Sequence, residues 1–107
     1  MKLDEQRYFV FAKLIDHIDP DTRVQKYEEP LQRSLNAKGI GNITGAGTMH
    51  NVDGSIDYVG LDIVLDDLDT SLDFVRTALY ALGAPDGSEL LFHRDDKSVT
   101  LPIRAND

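Results

Sequence analysis

Residues 56–82 carry a strand pattern that passes directly into a helix pattern, and this succession constrains the fold more than any other feature. In the first ten of these residues, large apolar side chains alternate with others, as in a strand with one buried face. After an acidic turn, apolar residues recur every three or four positions, which is helical spacing. The predicted core of these two elements is Val59, Leu61, Ile63, Leu65, Leu72, Val75, Leu79 and Leu82. The sequence therefore predicts a domain that mixes strands and helices.

The first third of the chain predicts another strand and another helix. Residues 7–15 are rich in strand formers on both faces, interrupted only by Lys13, as in a central strand. A helix is predicted over residues 29–36, with Pro30 in its first turn, where proline is tolerated. Gly39 follows the helix and provides a residue that adopts a positive φ easily.

A glycine-rich strand is predicted next, over residues 40–50. Its glycines fall at odd positions, so they should share one strand face with Ile43 and Met49. Small residues there would admit close packing or mark a bulge. The pair Asp53-Gly54 is a strong hairpin signal and should turn this strand into the next one.

The last third predicts a helix and a final hairpin. The helix should run over residues 70–82, with Thr70 and the acid three residues later as an approximate capping box. The segments Glu89–Arg94 and 98–103 should form a last hairpin, and residues 105–107 a polar tail.

The resulting order is strand, helix, strand, strand, helix, strand, with one short extra strand at the end. This is the split βαβ order of a ferredoxin-like α+β domain, with an antiparallel sheet and two helices on one face. Residues 1–107 are expected to form a single domain, since their number is near the common domain size. A strand meander with one helix is the alternative if the first helix stops at Pro30.

The composition limits the kinds of partner. The chain has 19 acidic and 11 basic residues, and its formal net charge is -8. Such a surface repels phosphate backbones and anionic lipid heads, so neither nucleic acid nor membrane is an expected partner. The absence of cysteine excludes disulfides and thiolate metal sites. The charged N-terminus lacks the apolar centre of a signal peptide, so a cytoplasmic location is expected.

No motif predicts catalysis, a metal site or a cofactor. The glycines of residues 39–47 lead into a strand and lack the Gly-Lys-Ser/Thr of a phosphate loop. His17, His50 and His93 are scattered without a metal-ligand spacing. Phe9 or Tyr8 on the first strand and Tyr58 on the third resemble the stacking aromatics of RNA-recognition motifs, but the third strand carries acids where that family carries basic residues. A non-enzymatic protein without a cofactor is therefore expected.

The acidic residues at the end of the third strand are the candidate binding site. Asp62 interrupts an otherwise apolar strand, and Asp66, Asp67 and Asp69 follow in the turn. Their spacing does not match the EF-hand calcium loop. Dense carboxylates suit a basic protein partner, whose association they accelerate. The expected function is an acidic protein-binding module, in its most concrete form an immunity or antitoxin-type inhibitor of a basic partner.

Two alternatives stay open at this point. One is a dimeric small-molecule sensor or enzyme-subunit domain, with a pocket near the glycine-rich strand. The polar groups available to such a pocket are Thr44, Thr48, His50 and Tyr58. The other alternative is a structural dimer without a separate ligand.

Four short segments invite comparison with known families. They are Glu29-Pro30-Leu31, Ile43-Thr44-Gly45-Ala46-Gly47-Thr48, Ile56-Asp57-Tyr58-Val59-Gly60-Leu61-Asp62-Ile63 and Leu82-Gly83-Ala84-Pro85-Asp86-Gly87-Ser88. Over about residues 29–92 the chain resembles a set of small bacterial ferredoxin-like proteins of unassigned activity, which implies no catalytic assignment. In size, charge and predicted topology it is also similar to stand-alone ferredoxin-like immunity proteins.

Overall fold

The computed structural model describes residues 7–104, which form an antiparallel five-stranded sheet and several helical segments. The strands are β1 (Tyr8–Leu14), β2 (Gly41–His50), β3 (Ile56–Leu65), β4 (Glu89–Arg94) and β5 (Lys97–Pro102). The helices are α1 (Pro20–Arg23), a π-helical turn (Val24–Glu28), α2 (Glu29–Lys38) and α3 (Leu68–Ala81). The charged start of the chain and the predicted polar tail lie outside the described residues.

The sheet has the order β2-β3-β1-β4-β5, and every neighbouring pair of strands is antiparallel. The α+β class is thereby confirmed, and β1 lies in the centre, as its apolar character on both faces predicts. The arrangement is compatible with a ferredoxin-like domain. None of the described helices is long and apolar enough to cross a membrane.

The first helical region runs through Pro30 rather than stopping there, so the meander with one helix is wrong. Proline has no N–H and crowds the carbonyl four residues before it, which disturbs regular α-helical bonding. The chain accommodates it by widening the preceding turn, and the N–H of Glu29 reaches back five residues to the carbonyl of Val24. The helix ends at Lys38, two residues later than predicted, and Gly39 caps it with a φ of +66°, as expected.

Helix α3 begins two residues earlier than its apolar pattern predicts, and Asp67 caps it. The Asp67 carboxylate accepts hydrogen bonds from the backbone N–H of Asp69 at 3.1 Å and of Thr70 at 3.4 Å. The Thr70 hydroxyl donates to the same carboxylate at 2.6 Å. Thr70 therefore lies inside the first turn as a supporting donor, and the predicted capping box beginning at Thr70 is wrong.

One hydrophobic core unites the helices with one face of the sheet. On β1, residues Val10, Ala12 and Leu14 are buried and pair with alternate residues of β3. The helices add Tyr27, Leu31, Leu35, Leu72, Val75 and Leu79 to the same cluster. The predicted core is confirmed except for Leu82, which is only partly buried at the end of α3.

A bulge in β2 changes which residues share a face. Ile43 pairs with Ile63, whereas Gly45 pairs with Asp62, so Thr44 is an extra residue in the ladder. An extra residue reverses the alternation of side chains along a strand. Ile43 therefore lies on the core side, whereas Gly45, Gly47 and Met49 share the opposite face, so the predicted common face is wrong for the residues before the bulge.

The final hairpin is confirmed, with β5 beginning one residue earlier than predicted. Its two-residue turn consists of Asp95 and Asp96, with φ values of +53° and +67°. Two consecutive positive φ values are typical of the tight turn whose twist matches antiparallel strands, and aspartate tolerates them better than most residues.

Candidate functional site

The sheet face opposite the core is the most distinctive surface of the described residues. Pairing of β1 with β3 places Phe9, Phe11 and Lys13 on this face, beside Val64, Asp62 and Gly60, respectively. No described helix contributes to it, and we call it the open face. Its other members include Gly45, Gly47, Met49, Tyr58, Glu89, Leu91 and His93, together with their β5 neighbours Ser98, Thr100 and Pro102.

An aromatic and cationic cluster occupies the middle of the open face. The rings of Phe11 and Tyr58 meet edge to face, with their centroids 6.5 Å apart. The Lys13 Nζ lies 4.7 Å from the centroid of the Tyr58 ring, within the range of a cation–π interaction. The Phe11 ring lies so close to Gly60 that a Cβ there would overlap it. Gly60 thus makes room for the aromatic cluster.

Two large apolar side chains on the open face are strongly exposed. Phe9 is 73% exposed and Met49 is 48% exposed. A shallow depression of about 220 Å³ lies between Met49, Phe11, Tyr58 and neighbouring residues of β2 and β3. Exposed aromatic and apolar groups on a contiguous surface are characteristic of interaction sites rather than of a solvated face.

Asp62 is the charged residue that borders this depression. Its side chain is exposed, and no described residue donates a hydrogen bond to its carboxylate or forms an ion pair with it. Across the strand pair, Gly45 leaves space beside it: an added Cβ there would lie 2.9 Å from Asp62 Oδ2. The Asp62 carboxylate is therefore available to a partner.

The four predicted binding acids have different surroundings. Asp62 lies within β3, and Asp66 follows the strand end four residues later, about 13 Å away along an extended chain. Asp67 is committed to capping α3, and Asp69 accepts a hydrogen bond from Arg94 Nη2 at 3.1 Å. Donation from the Thr70 hydroxyl is the main reason that the pKa of Asp67 lies below its usual value. Asp67 and Asp69 thus serve the local structure.

Of the alternative small-molecule residues, Thr48 and Tyr58 both line the depression of about 220 Å³, whereas Thr44 and His50 do not. Thr48 pairs with Val59 on the core side, and its hydroxyl accepts a hydrogen bond from Arg23 Nη1 at 2.8 Å. Tyr58 lies on the opposite, open face. Thr44 is exposed at the bulge, with its hydroxyl 3.4 Å from the Asp62 carbonyl oxygen, and His50 is exposed at the end of β2.

A larger cleft of about 500 Å³ lies between the helices and the start of β2. It is lined by Glu28, Gln32 and Arg33 among others, but its polar groups are largely engaged within the protein. Arg23 Nε donates to Glu28 Oε2 at 2.6 Å, and Gln32 Oε1 accepts from the backbone N–H of Ile43 at 2.8 Å. The first contact lies within the helical region, and the second joins α2 to β2. Residues 7–104 contain no cluster of acids and histidines suited to a metal ion.

A cluster of titratable groups beneath the helices also has a structural role. The fully buried Tyr27 donates its hydroxyl to Asp16 Oδ2 at 2.6 Å, and Lys26 Nζ donates to the same oxygen at 2.7 Å. Burial raises the pKa of the Tyr27 hydroxyl, and the Asp16 carboxylate raises it further. Burial alone would raise the pKa of Asp16, but the hydrogen bonds from Lys26 and Tyr27 outweigh it and lower the pKa.

Asp62 and Tyr58 are predicted site residues, and Phe9 is predicted only as an aromatic of the sheet, whereas Phe11 and Met49 are not predicted as site residues. The alternation of Phe9, Phe11 and Lys13 in the first strand is the signal that could have placed these residues on one face. Met49 could not be placed in this way, because the bulge shifts the faces of β2. Comparison of the chain with protein-family models, curated proteins and solved structures found no match.

Proposed function

We propose that this chain is a non-enzymatic protein-binding domain of ferredoxin-like topology, which binds a basic protein on its open face. The topology is supported by the order β2-β3-β1-β4, with helices in the connections from β1 to β2 and from β3 to β4. In this description β5 is an additional edge strand.

The observation that carries the proposal is the exposure of Phe9 and Met49 on the same face as the Asp62 carboxylate, which has no partner among residues 7–104. Protein interfaces commonly combine aromatic and methionine side chains at their centre with charged groups at the rim. The Phe11 and Tyr58 rings form a rigid floor between these exposed groups. A partner side chain that covered Phe9 would remove apolar surface from water. The loss of conformational entropy would be small, because the β-strand that carries Phe9 is already ordered.

Charge supports a basic partner. The protein carries a net charge of -8, and the open face presents Asp62 and Glu89, while its Lys13 is engaged by the Tyr58 ring. Complementary charge accelerates association and disfavours acidic competitors. An inhibitor of a basic toxin, in the manner of an immunity protein, is the most concrete form of this function.

The shape of the face supports a protein rather than a small molecule. Its depression of about 220 Å³ is below the roughly 300–1,000 Å³ typical of drug-sized ligand pockets. Met49 lines the depression, but the exposed Phe9 lies outside it, so a large partner surface would contact more of the face than a metabolite would.

The test is capture of partners from native lysate on immobilised protein at low salt, followed by elution with increasing salt. The wild-type chain is compared with Asp62→Lys and with Asp66→Lys, which change the net charge equally but lie on the open face and beyond the strand end, respectively. We expect a basic protein that is retained by the wild type and by Asp66→Lys and is lost from Asp62→Lys. A captured protein that depends on Asp66 and ignores Asp62 would contradict the proposed surface.

A further inference from the structure

The two edges of the sheet are built differently. The edge strand β5 has six residues and carries Lys97 and Pro102, features that discourage pairing with another chain. The other edge strand, β2, has ten residues and contains no proline and no aspartate, glutamate, lysine or arginine. Its sequence, Gly-Asn-Ile-Thr-Gly-Ala-Gly-Thr-Met-His, therefore lacks the side chains that usually protect an edge.

Only the beginning of the β2 edge is shielded within the described chain. Gln32 of α2 accepts a hydrogen bond from the backbone N–H of Ile43, and it also contacts Asn42 through its amide nitrogen at 3.4 Å. The bulge follows directly. Beyond it, no described strand pairs with the outer side of residues 44–50, and Ala46, Gly47 and Met49 are exposed.

We propose that residues 44–50 of β2 pair antiparallel with the same residues of a second copy of this chain. A two-fold axis near Gly47 places Gly47 of the two copies opposite each other and Met49 of each copy opposite Gly45 of the other. The exposed Met49 side chain of each copy then covers the backbone of Gly45 in the other copy, which has no side chain. Such an isologous contact is the commonest form of protein dimer.

The absence of charged residues on β2 allows a second copy of this acidic chain to pair at this position. Each copy carries a net charge of -8, but none of the formal charge is on β2, so no like charges face each other across the new strand pair. Charges farther away are screened at physiological ionic strength, where the Debye length is about 8 Å. A seven-residue strand contact is small, so the dimer should be weak and dependent on protein concentration.

The dimer would contain one continuous ten-stranded sheet. Because a two-fold axis between antiparallel strands is perpendicular to the sheet, both open faces would point to the same side. The strand pairing itself does not depend on the partner proposed above. If that partner binds, however, the dimer presents two binding faces side by side, which raises avidity for a repetitive or dimeric target.

Sedimentation equilibrium of the full chain over about 1–200 µM tests the proposal, with concentrations chosen around the micromolar affinities of weak complexes. The wild type should shift from its 11.9 kDa monomer mass towards twice that value. Gly47→Lys should remain monomeric, since two lysines would meet at the axis. The substitution is sterically tolerated, because no heavy atom lies within 4 Å of an added Cβ at Gly47.

The matched control is Thr100→Lys on β5, which has the same charge change at an exposed position of the other edge. Both substitutions reduce the net negative charge, so general repulsion between copies falls equally and cannot explain a loss of association. A wild type that is monomeric throughout the range, or a Gly47→Lys variant that dimerises like the control, would overturn the proposal.

A crosslinking experiment provides an independent readout that does not rely on weakening the dimer. The chain has no cysteine, so Gly47→Cys introduces one thiol in a clean background. Under mild oxidation it should form a disulfide dimer in high yield, and Thr100→Cys should not. Equal crosslinking of the two variants would contradict pairing through β2.

Discussion

The ring of Phe11 covers Gly60 of the neighbouring strand, and an added Cβ at Gly60 would overlap that ring. Gly60 pairs with Lys13, which is two residues along β1 from Phe11, so the ring reaches diagonally across the strand pair. This contact allows the edge-to-face arrangement of Phe11 with Tyr58. The aromatic floor of the open face therefore depends on the absence of a side chain at position 60.

Replacement of Gly60 by alanine should displace the Phe11 ring and destabilise the protein by about 1–3 kcal/mol, as for other overpacked sites. Urea unfolding monitored by circular dichroism measures the change. In a Phe11→Ala background the same substitution should cost much less, because the obstructing ring is gone. Gly47→Ala is the control, since its Cβ would meet open space. Equal costs for the two glycine substitutions would refute the packing argument.

Removal of the Tyr27 hydroxyl should destabilise the protein by about 1–3 kcal/mol, because this buried group hydrogen-bonds the Asp16 carboxylate. The variant is Tyr27→Phe, and thermal or urea unfolding gives the change in free energy. Tyr80→Phe is the matched control, since Tyr80 is 51% exposed and its substitution should change stability by less than about 0.5 kcal/mol. Equal free energies of unfolding for the two variants would show that the buried hydrogen bond makes no measurable contribution to stability.

The stabilising contribution of Asp16 should disappear in acid. Its pKa in the folded protein lies below the usual value: burial opposes ionisation, but hydrogen bonds from Lys26 and Tyr27 favour it more strongly. A group with a depressed folded pKa stabilises the protein above its unfolded pKa, about 3.9, and loses that effect as the pH falls through the folded pKa. The stability difference between wild type and Asp16→Asn should therefore be largest near neutral pH and shrink below about pH 4. A difference that stays constant from pH 7 to pH 2.5 would contradict this account.

Loss of the Asp67 carboxylate should weaken the start of α3. Asp67→Ala removes a cap that accepts hydrogen bonds from two backbone N–H groups, and the expected cost is about 0.5–2 kcal/mol. The neighbouring substitution Asp66→Ala should cost less than about 0.5 kcal/mol, since that side chain is exposed and has no described hydrogen bond. Unfolding in urea compares the two variants. A larger loss of stability in Asp66→Ala than in Asp67→Ala would show that Asp67 is not the cap of α3.

Much of the fold could be predicted because its signals are local. The alternation within Ile56–Leu65 identifies β3 with its observed bounds, and the last hairpin follows from two short apolar runs separated by aspartates. The core follows as well, because the buried face of each element contains its regularly spaced apolar residues. Leu82 differs because it lies just past the end of α3, where the chain turns away.

The remaining features depend on contacts distant in sequence. The bulge at Thr44 depends on how β2 meets β3, and it alone decides that Ile43 and Met49 lie on opposite sides. The π-helical turn accommodates Pro30 within one helical region. Tyr27 before the proline and Leu31 after it both pack into the core, which keeps the two parts together. The acids of the candidate site are close in sequence, but Asp62 lies within β3 on the open face, whereas Asp66, Asp67 and Asp69 lie beyond the end of the strand.

Binding of a basic protein to the open face is tested most directly by isothermal titration calorimetry with the captured partner. The chains compared are the wild type, Asp62→Lys, Phe9→Ala and the control Asp66→Lys. Substitution of either open-face residue should weaken binding by about tenfold or more, equivalent to about 1.4 kcal/mol, while the control should bind nearly as the wild type does. Wild-type affinity in both open-face variants, with loss of affinity in Asp66→Lys, would contradict the claim.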